Sequence, residues 1–591
     1  MKKYLPITTW FAALLVTAGI LLYFETDFLW KLQEQNLFLD TSLFFKEQMV
    51  VPGGLLSWMG TYLTQFFYYP WLGTLLLSLC WLLLMWLVKR AFQLPAQWIM
   101  VPLIPVGLLL LTIVDMGYWV YMLKLQGHVF VGTLGAIIIT ALLWVYRMLP
   151  GRYYLRGLMI LITAALGYPM FGIYGLAAVL IMGIWSWRLE NGALWKKVGY
   201  SLLSLSCAAI VPLVCYRQIY YQTNLANVYY AELPLFYVTE EYHLYYLPYY
   251  LLALFFLLMV ILPFKPVKPI KAYATQGVLL VALVAGVATF WFKDENFHHE
   301  LKMQHCIENG DWKGVLAEAV HQNDEPTRAV VMMRNLALSQ LGRQGEDMYT
   351  YENGSKEYAA PFGMRLMLVA GPLMYYHYGM LNYSSRLSTE MGVEFGWRVE
   401  NFRLLAKCAI LRKEQMQARK YLNLLKHTTF YADWAEKVDK QPELKAVGRM
   451  THYENTLTGD QGNIERFLMN RLAESTDTTD AYFQEQTLLA SIWTKDINQF
   501  WYHFNDYVRM HPKARIPRYY QEAAYLYCQI EGRGGLDRMP FDESVKQSFN
   551  NFAMAAERYD NMDVDIARKA LQAYRHTFYY DYYLMRQLPE Y

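Results

Sequence analysis

The chain has 591 residues, of which 55% are hydrophobic, 16% aromatic and only 17% charged, with a formal net charge of +3. That balance excludes an ordinary soluble enzyme and gives no sign of a nucleic-acid partner, and the length accommodates two domains. Residues up to Lys293 carry 18 Lys and Arg against 10 Asp and Glu, whereas the remainder carries 35 against 40, so a membrane half precedes a water-facing half.

Met1-Lys2-Lys3 introduces the apolar segment 5–24, whose exit, GILLYFE, lacks the small residues of a signal-peptidase site. It reads as an uncleaved first span. Immediately beyond it, YFETDFLW, Tyr23 to Trp30, sets Glu25 and Asp27 among aromatic residues. The connection 25–70 then alternates leucines with charges as far as Phe44 and turns uncharged and aromatic from Gly54. Pro52-Gly53-Gly54 separates the two parts and Pro70 ends the second, a pattern of helices lying in the membrane interface.

Apolar runs follow at 71–88, 98–115, 128–146, 157–169, 171–187, 198–216, 246–264 and 272–292, most near the roughly 20 residues that cross a bilayer core. With the first segment they predict about nine spans. If the N-terminus is cytoplasmic, thirteen Lys and Arg fall on the cytoplasmic connections and five on the outer ones, in keeping with retention of basic residues inside. The interval between Arg156 and Arg188 either crosses twice or forms a half-membrane hairpin, with Gly167-Tyr168-Pro169 at its reversal. An odd number of spans places residues 294–591 in the periplasm of an inner-membrane protein. The outer connection 216–250 holds eleven tyrosines with Glu232, Glu240, Glu241 and His243. Two readings stay open for it: anchoring at the bilayer interface, or contact with sugar rings and lipid head groups.

From Asp294 the pattern is one of short helices punctuated by Gly, Pro or Asn, without the alternation of strands. The clearest pair is Trp397 to Leu425, with Phe402, Leu405, Ala406, Ala418, Leu422 and Leu425 as its apolar face and a break near Lys413. Segments starting at Asp311, Thr327 and Pro517 repeat the theme. The expected fold is therefore all-α: a transmembrane helix bundle over 1–293 and a periplasmic array of helical hairpins over 294–591, similar to tetratricopeptide repeats. Tyr519-Tyr520 and Tyr579-Tyr580 are expected as core or surface-support residues of that array rather than as ligand contacts. His298 and His305, seven apart on one helix face, lack a second ligand pair at zinc spacing, so no metal ligand is assigned. Six well-separated cysteines indicate no disulfide framework.

The sequence carries no Walker loop, dinucleotide fingerprint, HExxH or GxSxG. The order of a first span, a long outer loop with acidic residues at its start, and a helical array after the bundle resembles the C-fold glycosyltransferases that use polyprenyl-phosphate sugars. The stretches TQFFYYPWLG and YYHYGMLNYSSRLSTEMGVEFGW resemble an uncharacterised family of polytopic Bacteroidota membrane proteins. The first resemblance implies a transferase on the periplasmic face, with Asp27 and Glu25 as catalytic carboxylates. Lys31, Glu240, Glu241 and His243 would contact substrate, and the donor would be a membrane-borne polyprenyl-phosphate sugar. A divalent cation, or a base such as Lys31, would offset the phosphate charge. The competing expectations are a non-catalytic envelope scaffold whose repeats recruit periplasmic proteins, and a glycolipid transporter; the two acids are equally well read as solvated residues at a span end.

Overall fold

A computed structural model describes residues 5–150, 153–190, 194–235, 245–264, 266, 269–321, 325–354, 366–440, 463–476, 480–534, 539–559 and 562–585. Among these residues the chain is helical and contains no strand. It forms two compact units. Unit 1 comprises Met1–Lys293 together with Met391–Arg403 and Lys420–Lys437; unit 2 comprises Asp294–Glu390, Leu404–Arg419 and Val438–Tyr591.

The helices of unit 1 run in the order α1 Leu5–Phe24, α2 Thr26–Glu34, α3 Ser42–Gln48, α4 Gly54–Thr64, α5 Pro70–Ala91, α6 Leu103–Val114, α7 His128–Met148, α8 Tyr153–Ile162, α9 Tyr168–Phe171, α10 Ile173–Leu189, α11 Leu194–Gln218, α12 Asn227–Tyr230, α13 Leu247–Ile261 and α14 Pro269–Phe290. Each of the nine apolar runs is thus helical. Among the described residues five helices are long and apolar enough to cross a membrane, namely Pro70–Ala91, His128–Met148, Tyr154–Phe171, Leu194–Gln218 and Lys271–Phe290; α1 joined to α2 across a 78° bend makes a sixth. The expectation of nine spans is corrected by helix length. A helix of twelve residues such as α6 rises only about 18 Å, and α6 is buried along most of its length, as suits a helix inside a bundle. The continuous helix 154–171 passes through a π-helical stretch, Thr163–Gly167, and reverses at Gly172 into α10.

The two ends of these helices differ in charge. Arg147 donates to the carbonyls of Arg90 and Ala91, which sets the C-terminal ends of α5 and α7 side by side. Arg156 of α8 pairs with Glu190 just beyond α10 at 2.9 Å, both buried. Arg188 donates to the carbonyl of Leu262 after α13. The basic residues therefore gather at one end, while Gly172 and the acidic Glu25 and Glu232 lie at the other. Within the stretch 25–70, α2 buries Phe28, Leu29 and Leu32, whereas α3 buries Phe44 alone.

Unit 2 is built of consecutive packed helices, including Glu295–Glu308, Trp312–Val320 and Arg328–Gln340 near its start and Ile464–Ala473, Ala481–Thr494 and Ile497–Met510 further on. Their boundaries follow capping chemistry. The side chains of Asp294, Asp311, Thr327, Asn463, Asp480 and Asp496 each accept a backbone N–H of the first turn. The helix Arg518–Glu531 stops at Gly532 in the left-handed region. Tyr519, Tyr520, Tyr579 and Tyr580 are buried, as expected. Glu465, only 2% exposed, binds the Arg328 guanidinium and accepts from Trp493 Nε1 at 2.9 Å, which satisfies both its oxygens. The pair over 397–425 resolves into Val399–Leu411 and Gln415–Lys426, with Lys413 at φ 63° between them, and its six apolar positions are all buried. Of the cysteines, Cys207, Cys215, Cys408 and Cys528 are buried and Cys80 and Cys306 partly so, all as free thiols. His299 Nδ1 engages Glu318 at 2.7 Å.

Candidate functional site

The carboxylates that open the connection after α1 lie in the interior of unit 1. Glu25 takes the corner between α1 and α2, is 3% exposed, and accepts from Trp291 Nε1 at 2.6 Å. Asp27, one residue into α2, is 4% exposed. Lys31, on the same helix, is also buried: its ammonium meets Glu400 Oε2 at 2.6 Å and lies 5.3 Å from the centre of the Tyr121 ring. The other oxygen of Glu400 is 3.5 Å from Arg398, whose guanidinium also donates to the carbonyls of Tyr121 and Leu123. Burial lowers the pKa of Arg398 and the Glu400 carboxylate opposes that effect. Glu240, Glu241 and His243 lie outside the described residues.

A cavity of about 730 Å³ opens elsewhere in unit 1, and none of Glu25, Asp27 or Lys31 lines it. Its volume is that of a small-molecule site. Its wall is drawn from α3, α4, the turn before α7, the connection 222–235, and the stretches 396–402 and 424. Amide and hydroxyl groups predominate among its polar residues: Gln48, Ser57, Gln126, Thr223, Asn224 and Asn227. The Thr223 hydroxyl is buried with no partner among the described residues, so a polar ligand atom would be welcome there. Trp397 and Phe402, also in the wall, stack at 5.1 Å between ring centres and offer a flat apolar face.

The ionisable group at the base of this wall is Glu232. It is 6% exposed. Ser57 Oγ lies 2.8 Å from one of its carboxyl oxygens and 2.7 Å from the other. Burial raises its pKa from 4.5 to about 8, with the Ser57 hydrogen bond acting in the opposite sense. Its backbone has φ 77°, a left-handed conformation that is strained for a residue with a long side chain. The local fold holds it there. Gly53, at φ 86°, precedes α4, and Gly172, at φ 56°, turns the helix 154–171 into α10. A Cβ on Gly53 would come within 2.1 Å of Glu232 Cγ, and one on Gly172 within 2.8 Å. The backbone of Gly53 donates to Pro169, and Ile173 to Ala231, so three chain segments meet at this carboxyl.

Gly53→Ala is expected to lower the stability of the whole protein by at least about 2 kcal/mol, because a left-handed φ carries a Cβ penalty and the new methyl displaces Glu232. Thermal unfolding of the purified variant in detergent reports it. An unchanged midpoint would mean that the contact between Gly53 and Glu232 is not made.

The turn at Pro52-Gly53-Gly54 was visible in the sequence, the reversal expected at Gly167-Tyr168-Pro169 lies instead at Gly172 because 163–171 stays helical, and Glu232 was one acid among several in the tyrosine-rich connection. Nothing local joins positions 53, 172 and 232. The strained acid is a product of tertiary packing of two glycine turns against it.

Searches against known proteins return a match to one family over residues 2–586, described as a family of unknown function (DUF6057). No curated protein and no solved structure matches the chain. The chain belongs to that family.

Proposed function

We propose that this family member is a membrane-embedded transferase that takes a sugar from a lipid carrier in the cavity of unit 1, with Glu232 as its acid–base group. The observation that carries the reading is the strained, buried Glu232 beside a cavity rich in amides and hydroxyls. Such a wall suits a polyhydroxylated ligand, and the stacked Trp397 and Phe402 suit the face of a sugar ring. A carboxyl with a pKa near 8 exchanges its proton close to neutral pH and is a stronger base than a solvated carboxylate. In the transfer, the acceptor hydroxyl oxygen forms a bond to the anomeric carbon, the bond from that carbon to the carrier phosphate breaks with its electron pair, and Glu232 takes the hydroxyl proton. Lys124 at the rim, paired to Glu394 but exposed, is placed to offset the phosphate charge. The clustering of Lys and Arg at the opposite end supports a cavity facing away from the cytoplasm, with unit 2 in the periplasm as a helical array. Asp27 and Glu25, buried and bonded within the fold, act in this reading as positioning residues for α2.

The test is complementation of cells that lack the protein, scored by membrane level and by the profile of envelope glycans. Glu232→Gln is expected to reach normal level and to leave the deletion profile uncorrected, while Asp27→Asn corrects it. A corrected profile with Glu232→Gln would favour the scaffold reading. Loss with Glu25→Gln or Asp27→Asn at normal protein level would return the chemistry to those acids.

A further inference from the structure

We infer that Ser57 is the proton relay of the cavity: its hydroxyl passes the proton of the acceptor to Glu232, with which it forms a closed hydrogen-bonded pair. The role in transfer rests on the function proposed above, whereas the pair rests on geometry. Ser57 is 6% exposed, stands on α4 one turn after Gly53, and lines the cavity together with Glu232. Its Oγ lies 2.8 Å from one carboxyl oxygen and 2.7 Å from the other, both ordinary distances for an O–H···O hydrogen bond. A hydroxyl has one hydrogen to give and an ionised carboxylate has none. With Glu232 ionised, one of the two contacts therefore brings oxygens together with no hydrogen between them. A neutral carboxyl supplies the second hydrogen: its O–H donates to Ser57 Oγ while the Ser57 hydroxyl donates to the other carboxyl oxygen. Both contacts are then hydrogen bonds, in keeping with the proton that burial holds on this group.

The closed pair is also the state that a relay leaves behind. When Glu232 is ionised, the Ser57 hydroxyl donates to the carboxylate and its oxygen keeps lone pairs with which to accept. As the acceptor oxygen bonds to the anomeric carbon, its proton moves to Ser57 Oγ and the Ser57 hydrogen moves to Glu232. The bond to the carrier phosphate breaks with its electron pair. One negative charge leaves the carboxylate as one is added to the phosphate, so the step balances.

The experiment follows the purified full chain in ester-free detergent by difference infrared spectroscopy between pH 6 and pH 10. The C=O stretch of the neutral Glu232 carboxyl is identified by its absence in Glu232→Gln. Tyr174 of α10, which interacts electrostatically with Glu232, does not contribute to that band. In Ser57→Ala the band is expected at higher wavenumber, as for a carbonyl that has lost a hydrogen bond, and its disappearance on raising pH should be displaced upward by about one unit. Ser57→Thr keeps the hydroxyl and should keep the band in place. In complementation, Ser57→Ala at normal membrane level should leave the glycan profile uncorrected, and Ser57→Thr should correct it. A band that does not move in Ser57→Ala overturns the pair and the relay. Correction by Ser57→Ala but not by Glu232→Gln overturns the relay while the transferase reading stands; correction by both overturns that reading and the relay with it. Should Ser57→Ala fail to reach the membrane, Ser57→Cys, close in volume and a weaker hydrogen-bond donor, takes its place in both assays.

Discussion

Glu232→Gln is expected to make the protein more stable at alkaline pH while removing the transfer proposed for it. In the folded chain the Glu232 pKa is about 8, against the ordinary 4.5. Between those values the folded state keeps a proton that the unfolded state has released, so stability falls as pH rises. The decline begins near pH 4.5 and is complete just above pH 8. Its size follows from the shift and is on the order of 3 to 5 kcal/mol. Glutamine retains an acceptor for the Ser57 hydroxyl and does not ionise, so its variant has no such decline. Unfolding midpoints of both proteins in detergent at pH 5 and pH 9 measure the difference. The wild type should lose more on going to pH 9 than the variant does; parallel losses would show that Glu232 is not held protonated by burial. A residue that lowers stability and sits in a strained backbone conformation beside a cavity is what a trade of stability for chemistry produces.

Glu400→Gln is expected to cost about 3 to 5 kcal/mol, the penalty for leaving buried charge uncompensated. The Lys31 side chain is 6% exposed and that of Arg398 1% exposed, and both cations face this one carboxylate. Removing its charge takes from both cations the carboxylate that each faces, which is why the loss should exceed that from an exposed ion pair among the described residues. Lys31→Met relieves part of the strain. The double variant Lys31→Met/Glu400→Gln should therefore lose less than the two single losses added together, the signature of direct coupling. Additive losses would mean that the 2.6 Å contact contributes nothing specific. Because Lys31 lies on α2 and Glu400 near the start of Val399–Leu411, the variant also tests whether the stretch Met391–Arg403 is an integral part of unit 1.

The two predictions draw on different layers of the sequence. Apolar periodicity marked the helices of both units, down to the break near Lys413 and the segment starts at Asp311 and Thr327, because that signal acts within one or two turns. The number of spans was not legible in the same way. Composition marks a segment as apolar, but α6 is too short to cross and buries most of its apolar surface against neighbouring helices instead. The acids at 25 and 27 stood out as charges at a span end, yet what surrounds them comes from far away: Trp291 is 266 residues from Glu25, and Glu400 is 369 residues from Lys31. Unit 1 also recruits Met391–Arg403 and Lys420–Lys437, stretches that read locally as ordinary amphipathic helix. Glu232 was hidden for the same reason. Its burial, its strain and its pKa are consequences of two glycine turns brought against it by the packing of α4 and α10.

The central claim is that the cavity beside Glu232 receives the sugar of a membrane-borne donor. The most direct measurement is equilibrium binding of a panel of radiolabelled polyprenyl-phosphate sugars to the purified protein in nanodiscs, with the wild type, Glu232→Gln and Thr223→Trp compared. Saturable binding by the wild type that is competed by unlabelled donor but not by polyprenol alone, and that Thr223→Trp weakens by filling the cavity, is the predicted result. Binding that is equal in all three proteins, or that polyprenol alone displaces, would contradict it.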